Sequence, residues 1–158
     1  MDLPIRKNIR LRDYDYSQGG VYFITICTKN KNPILWDSNV GTTIGRPPLS
    51  IQGQIVDNAV NGIQTIYPSA EIDKYVIMPN HVHLLIRLFD NDWQATTVTK
   101  ISMIIQNFKR YVCKQIGVKI WQARFYDHII RNEQDYLACW KYIDENPLKW
   151  QDDELFEE

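Results

Sequence analysis

Two runs of apolar and β-branched residues, 72–78 and His81–Leu88, are separated only by Pro79 and Asn80, a turn pair. So short a connection cannot carry a crossover, so the two runs must be antiparallel neighbours in one sheet. Everything else has to be arranged around that hairpin. Residues 21–28 (VYFITICT) follow Gly19-Gly20 and read as a strand. Residues 29–50 are broken by Pro33, Gly41, Gly45, Pro47 and Pro48 and read as loop. Ser50 is a natural N-cap for a helix over 51–66, with Ile51, Ile55, Val56, Ala59, Ile63 and Ile66 on its apolar side and Pro68 beyond its end. A second helix is expected over 99–115, where Ile101, Ile104, Ile105, Phe108 and Val112 recur at helical spacing before Gly117. Residues 125–131 are a short strand candidate, and 133–146 a third helix that Pro147 ends.

The order opens with β-α-β-β-α-β. The expected fold is therefore α+β, a ferredoxin-like antiparallel sheet with helices on one face, plus a C-terminal helix that carries Tyr142. A chain of 158 residues, 44% hydrophobic and 23% charged, can bury a proper core in one domain, expected over 1–150 with an acidic tail at 151–158. That composition excludes a disordered tail, a collagen-like fibre and a small disulfide scaffold. The longest apolar runs are strand-sized, so no membrane span is expected, and residues 1–12 show no secretory signal. Cys27, Cys113 and Cys139 are scattered without metal spacing, which fits a reducing cytoplasm.

The net charge of -1 argues against a nucleic-acid binder, but its distribution does not. Residues 99–131 carry Lys100, Lys109, Arg110, Lys114, Lys119, Arg124 and Arg131 against Asp127 alone, whereas 132–158 hold nine acids and two bases. A basic middle and an acidic tail cancel in the sum, and it is local basic surface that meets phosphates. Solvated helix faces would produce the same pattern, and charge alone favours that plainer reading.

Alternation along His81–Leu88 turns Val82, Leu84, Ile86 and Leu88 to one face and His81, His83, Leu85 and Arg87 to the other. Two imidazoles two residues apart on one strand face can share a metal ion, and Arg87 beside them can meet an anion. The plainer reading is a pair of half-buried histidines at a sheet end. On the third helix, a wheel puts Trp140 and Ile143 on the side of Tyr136, with Leu137 nearby, as the expected core stripe. Tyr142 and Asn146 lie one turn apart on another face, with Asp135 and Cys139 above them. Tyr142 is thus either a solvated aromatic or a presented phenol. A phenol of pKa roughly 10 needs an activated electrophile to act as a nucleophile at neutral pH. His128 alternates with Tyr126 and Ile130 and is either a further metal or phosphate contact or, as the plainer reading, a packed strand histidine.

The segment Met78-Pro79-Asn80-His81-Val82-His83-Leu84-Leu85 resembles the His-hydrophobic-His motif of single-tyrosine transposases, and Tyr142-Ile143-Asp144-Glu145-Asn146-Pro147 resembles their tyrosine helix. Arg12-Asp13-Tyr14-Asp15-Tyr16-Ser17 with Gly20-Val21-Tyr22-Phe23-Ile24-Thr25-Ile26-Cys27-Thr28, and Trp121-Gln122 with Phe125-Tyr126-Asp127-His128-Ile129-Ile130-Arg131, resemble one branch, the REP-associated tyrosine transposases. The resemblance runs over about residues 5 to 150 and keeps the family's order. It implies a metal-dependent endonuclease and strand transferase acting on single-stranded or hairpin DNA. His81 and His83, with Asn146 as third ligand, would hold Mg²⁺ or Mn²⁺. Tyr142 would attack the scissile phosphate, leaving a 5′-phosphotyrosine and a free 3′-OH, and attack by a 3′-OH would reseal the strand. Tyr126, in a strand, and Tyr136, on the expected stripe, are the rival nucleophiles. Phosphate contacts would come from Arg12, Arg87, Lys109, Arg110, Lys114, Arg124 and Arg131. A monomer or homodimer fits. Two alternatives stay open: a non-catalytic hairpin-binding protein on this fold, and a metal hydrolase that activates water.

Overall fold

The computed structural model describes residues 20–37, 48–89 and 101–152, with the side chains of 151 and 152 excepted. Arg12, the motif over 12–17, the expected helix start at Thr99 and the tail beyond 152 lie outside them. The elements are β1 (Gly20–Cys27), α1 (Ile51–Ile66), β2 (Ala70–Ile77), β3 (His81–Leu88), α2 (Ile101–Ile116), β4 (Tyr126–Ile129) and α3 (Glu133–Glu145), in the expected order. Short 3-10 stretches follow β1 at Lys29–Lys31 and α3 at Asn146–Asp152.

The four strands form one antiparallel sheet in the order β2-β3-β1-β4. Helix α1 carries the chain from β1 past β3 to β2, and α2 carries it from β3 past β1 to β4. Two β-α-β units therefore interleave, which puts β1 and β3 in the centre. One face of these strands (Tyr22, Ile24, Ile26, Val82, Leu84, Ile86) meets Val56, Val60 and Ile63 of α1 and Ile104, Ile105 and Phe108 of α2 in the main core. The other face (Phe23, Val76, Leu85) meets Cys139 and Ile143 of α3 in a smaller one. The sheet is thus buried on both sides.

Local chemistry sets the ends. Ser50 Oγ accepts the Gly53 N–H at 3.0 Å and caps α1. Gly117 takes the left-handed conformation (φ 95°) that stops α2. Asn132 Oδ1 accepts the Asp135 N–H at 2.8 Å and caps α3. Ile72 pairs with Ile86 and Lys74 with Leu85, so Asp73 is an extra residue in β2, a bulge. Pro147 ends the α-helix as expected, and the chain tightens into the 3-10 stretch, with the Asn146 N–H reaching Ile143 O.

The expected stripe of α3 is corrected. Leu137 is 55% exposed and Trp140 37%, whereas Cys139, Ile143 and Asn146 are buried. The buried line runs through 139, 143 and 146, with Tyr136 and Tyr142 half-buried beside it. This face reads poorly as a stripe because two of its three buried positions are a thiol and an amide.

Candidate active site

Strand β3 delivers His81 and His83 to the α3 side of the sheet, and both are fully buried. They are not the half-exposed pair that alternation suggests, because α3 covers that face. Their rings lie 4.6 Å apart, centroid to centroid, at 69°. Each Nδ1 is held. His83 Nδ1 lies 2.8 Å from Thr25 Oγ1, on the residue paired with it across β1. His81 Nδ1 lies 2.7 Å from Asn80 Oδ1, and Asn80 Nδ2 donates to Lys31 O at 3.3 Å. An amide oxygen only accepts, so His81 Nδ1 carries the proton and the neutral ring keeps its lone pair on Nε2. Phe23 stacks on His83 at 5.2 Å and 23°. Burial, reinforced by neighbouring His81, pushes the His83 imidazole well below its ordinary pKa. A neutral imidazole with an oriented Nε2 is the form that binds metals.

Helix α3 lays Tyr142 over this strand, its ring 5.2 Å from that of His83 and 6.0 Å from that of Phe23. One turn on, Asn146 is 4% exposed. The 3-10 stretch then sets Trp150 5.8 Å from the His81 ring, beside Trp36 at 6.2 Å. His83 Nε2 and Asn146 Oδ1 are buried and have no hydrogen-bond partner among the described residues. Such atoms are costly unless something fills their lone pairs. The rival tyrosines are placed differently. Tyr136 donates to Asp73 Oδ2 at 2.9 Å, and Tyr126 stands edge-on to Phe23 at 6.5 Å. Burial pushes the phenols of both above their ordinary pKa.

The basic residues separate. Arg87 lies on the histidine face, but its guanidinium donates to both Asp73 oxygens, at 2.7 and 3.3 Å. Lys109 donates to the carbonyls of Gln122 and Arg124 at 2.6 and 3.3 Å, bracing the approach to β4, and burial lowers its pKa. Arg110 and Lys114 are exposed on α2, across the sheet from the histidines, with Arg110 donating to Asn107 Oδ1 at 3.3 Å. Arg124 and Arg131 are exposed at either end of β4. His128 does not pack as a bare strand residue: its Nε2 lies 2.8 and 2.9 Å from the two carboxylate oxygens of Asp135.

Sequence reasoning missed Thr25, Phe23, Trp150 and Lys74. The first two are visible only once β1 is registered against β3. Lys74 sits on the same face, 3.0 Å from Asp144 and 4.4 Å over the Trp140 ring.

No family model matches the chain. It is 34% identical over 172 aligned positions to an uncharacterized protein of Haemophilus influenzae, covering 96% of this chain and 93% of that one. It is 30% identical over 135 positions to a REP-associated tyrosine transposase of Escherichia coli, covering 85% of this chain and 70% of that one. Among solved structures, it matches the REP-associated tyrosine transposase bound to a REP hairpin with a TM-score of 0.67 and 27% identity, over 89% of this chain and 73% of that one. Among the described residues, no helix is long and apolar enough to cross a membrane.

Proposed function

The chain belongs to the REP-associated tyrosine transposases, and from that premise we propose that it cleaves and rejoins single-stranded DNA beside a hairpin, with Tyr142 as the nucleophile. The observation that carries this reading is the contact of α3 with β3, where Tyr142 lies 5.2 Å from the ring of His83.

His81 and His83, with Asn146, would hold Mg²⁺ or Mn²⁺. The donor set fits: the His83 Nε2 and Asn146 Oδ1 atoms are buried without hydrogen-bond partners among the described residues, and Asn80 and Thr25 orient the imidazoles. When bound, the ion supplies charge neutralisation and polarisation of the scissile phosphate. Tyr142 gives up its phenolic proton, and its oxygen forms a bond to phosphorus. The bond from phosphorus to the 3′ oxygen breaks, and that oxygen takes a proton. The 5′ phosphate stays on Tyr142 as a diester, so bond energy is kept, and a 3′-OH attacking it reverses the step. Helix α3 supplies orientation, holding the nucleophile against the histidine strand before substrate arrives. Exposed Arg124 and Arg131, at the ends of β4, would meet the phosphates nearest α3, and Arg110 and Lys114 would meet DNA that passes over α2.

The test is a denaturing gel of the protein with labelled hairpin DNA bearing a single-stranded flank, with Mn²⁺ or with EDTA. A protein–DNA band is expected with Mn²⁺ alone, and Tyr142→Phe should abolish it while gel-shift binding survives. An adduct retained in Tyr142→Phe would remove Tyr142 from the role. Cleavage without adduct would transfer the reading to a hydrolase that activates water.

A further inference from the structure

A second group of metal-binding side chains lies under the same helix. His128 of β4 and Asp135 and Cys139 of α3 each offer one ligand atom, and these atoms all lie within 4.8 Å of one another. We propose that His128, Asp135 and Cys139 form a thiophilic metal site of the Zn²⁺ class, separate from the histidine pair, that clips the tyrosine helix to strand β4.

The placement follows from the fold. Asp135 and Cys139 are one turn apart on the sheet-facing side of α3. His128 pairs with Phe23 across β1 and shares its face, so its ring meets that turn. The nitrogen, oxygen and sulfur donors match zinc, whereas a thiolate disfavours Mg²⁺. The three residues leave one tetrahedral position for water, and the side chains of His128 and Asp135 are 32% and 22% exposed, so the ion has a path from solvent. Without a cation the arrangement is electrostatically poor. Burial, and then the Asp135 charge, push the Cys139 thiol up to about 12. The phenol of Tyr126 is raised by burial first and then by Cys139, Asp127 and Asp135.

On binding, the Cys139 S–H bond breaks, its proton goes to solvent, and the thiolate sulfur bonds the metal. One Asp135 oxygen and His128 Nε2 supply the other two bonds; the Nε2 hydrogen that faces the carboxylate leaves through solvent, so that the bound neutral imidazole carries its single proton on Nδ1. The His128–Asp135 contact gives way to bonds through the shared ion. The site is three residues before Tyr142, so it would fix the rotation and height of the nucleophile's helix.

Co²⁺ gives the probe, because a thiolate-to-cobalt charge-transfer band reports a cysteine ligand and the histidine pair has none. Stoichiometric Co²⁺ added to the full chain should produce the band. Excess Zn²⁺ should remove it, and excess Mg²⁺ should leave it. Cys139→Ala should abolish the band, and His128→Gln should weaken Co²⁺ binding at least about tenfold. Zn²⁺ should raise the thermal midpoint of the parent chain more than that of Cys139→Ala, which keeps only the histidine pair. No band in the parent chain, a band that survives in Cys139→Ala, or one that Mg²⁺ displaces would each overturn the site. If Cys139→Ala does not fold, His128→Gln decides: unchanged Co²⁺ affinity overturns the proposal.

Discussion

His83 has no contact with bulk water, so a proton added to its ring would be a buried charge beside another imidazole. Its pKa lies well below the ordinary 6.5, through burial first and His81 second. A group with a lower pKa folded than unfolded binds more protons in the unfolded chain. Stability is therefore full above about pH 6.5 and falls as the pH drops below it, until the folded pKa is reached. The slope in that window is up to about 1.4 kcal/mol per pH unit. Urea unfolding in EDTA at pH 7.5, 6.5 and 5.5 should show the loss, and His83→Gln should flatten it. An equal slope in the variant would assign the acid sensitivity elsewhere. At this scale the sequence was informative where chemistry is local: His81, His83 and the Tyr142–Asn146 turn are each visible within one element. It was silent where the partner comes from another strand. Thr25 is one more strand threonine until β1 is registered on β3, and Arg87 looks free until the bulge at Asp73 brings a carboxylate to it.

Helices and strands were legible to within about two residues because their signals are local. The Ser50 cap, the left-handed Gly117 and the missing N–H of Pro147 act regardless of what packs outside them. The face of α3 was misread because its inner line is amphipathic in the wrong sense: Leu137 and Trp140 face solvent, and Asn146 faces the sheet. The two glycines of α1 test how far an element depends on its neighbours. A Cβ at Gly53 would collide with the Leu35 carbonyl oxygen, a backbone atom, whereas one at Gly62 meets nothing within 4 Å. That carbonyl also accepts the Ser50 N–H at 3.0 Å, so it cannot retreat without loosening the helix start. Gly53→Ala should cost about 1–3 kcal/mol by overpacking, and Gly62→Ala should gain about 0.5–1 kcal/mol from helix propensity. Chemical denaturation of the two variants checks this, and equal effects would mean that the segment before α1 shifts freely.

The molecule is a sheet with unequal layers. Among the described residues, the layer of α1 and α2 buries 21 hydrophobic residues with the sheet, and the α3 layer only six. At about 25 cal/mol per Å² of apolar surface, the second layer is held far less firmly. Polar contacts make up part of the difference: Tyr136 to Asp73 and Lys74 to Asp144 at the β2 edge, and Asp135 to His128 at the β4 edge. Exposed ion pairs add little each, so α3 should open without the rest of the fold. Native-state hydrogen exchange should show amides of α3 exchanging at least about tenfold faster than those of β1 and β3, about 1.4 kcal/mol less protection. The histidine strand would stay closed, because its hydrogen bonds belong to the sheet centre. Mn²⁺ should then slow exchange in α3, since the proposed ligand set of Asn146 and both histidines would be complete only while the helix is docked. Equal protection of α3 and β3 would mean one cooperative unit. Mn²⁺ leaving α3 unchanged would separate Asn146 from the ligand set.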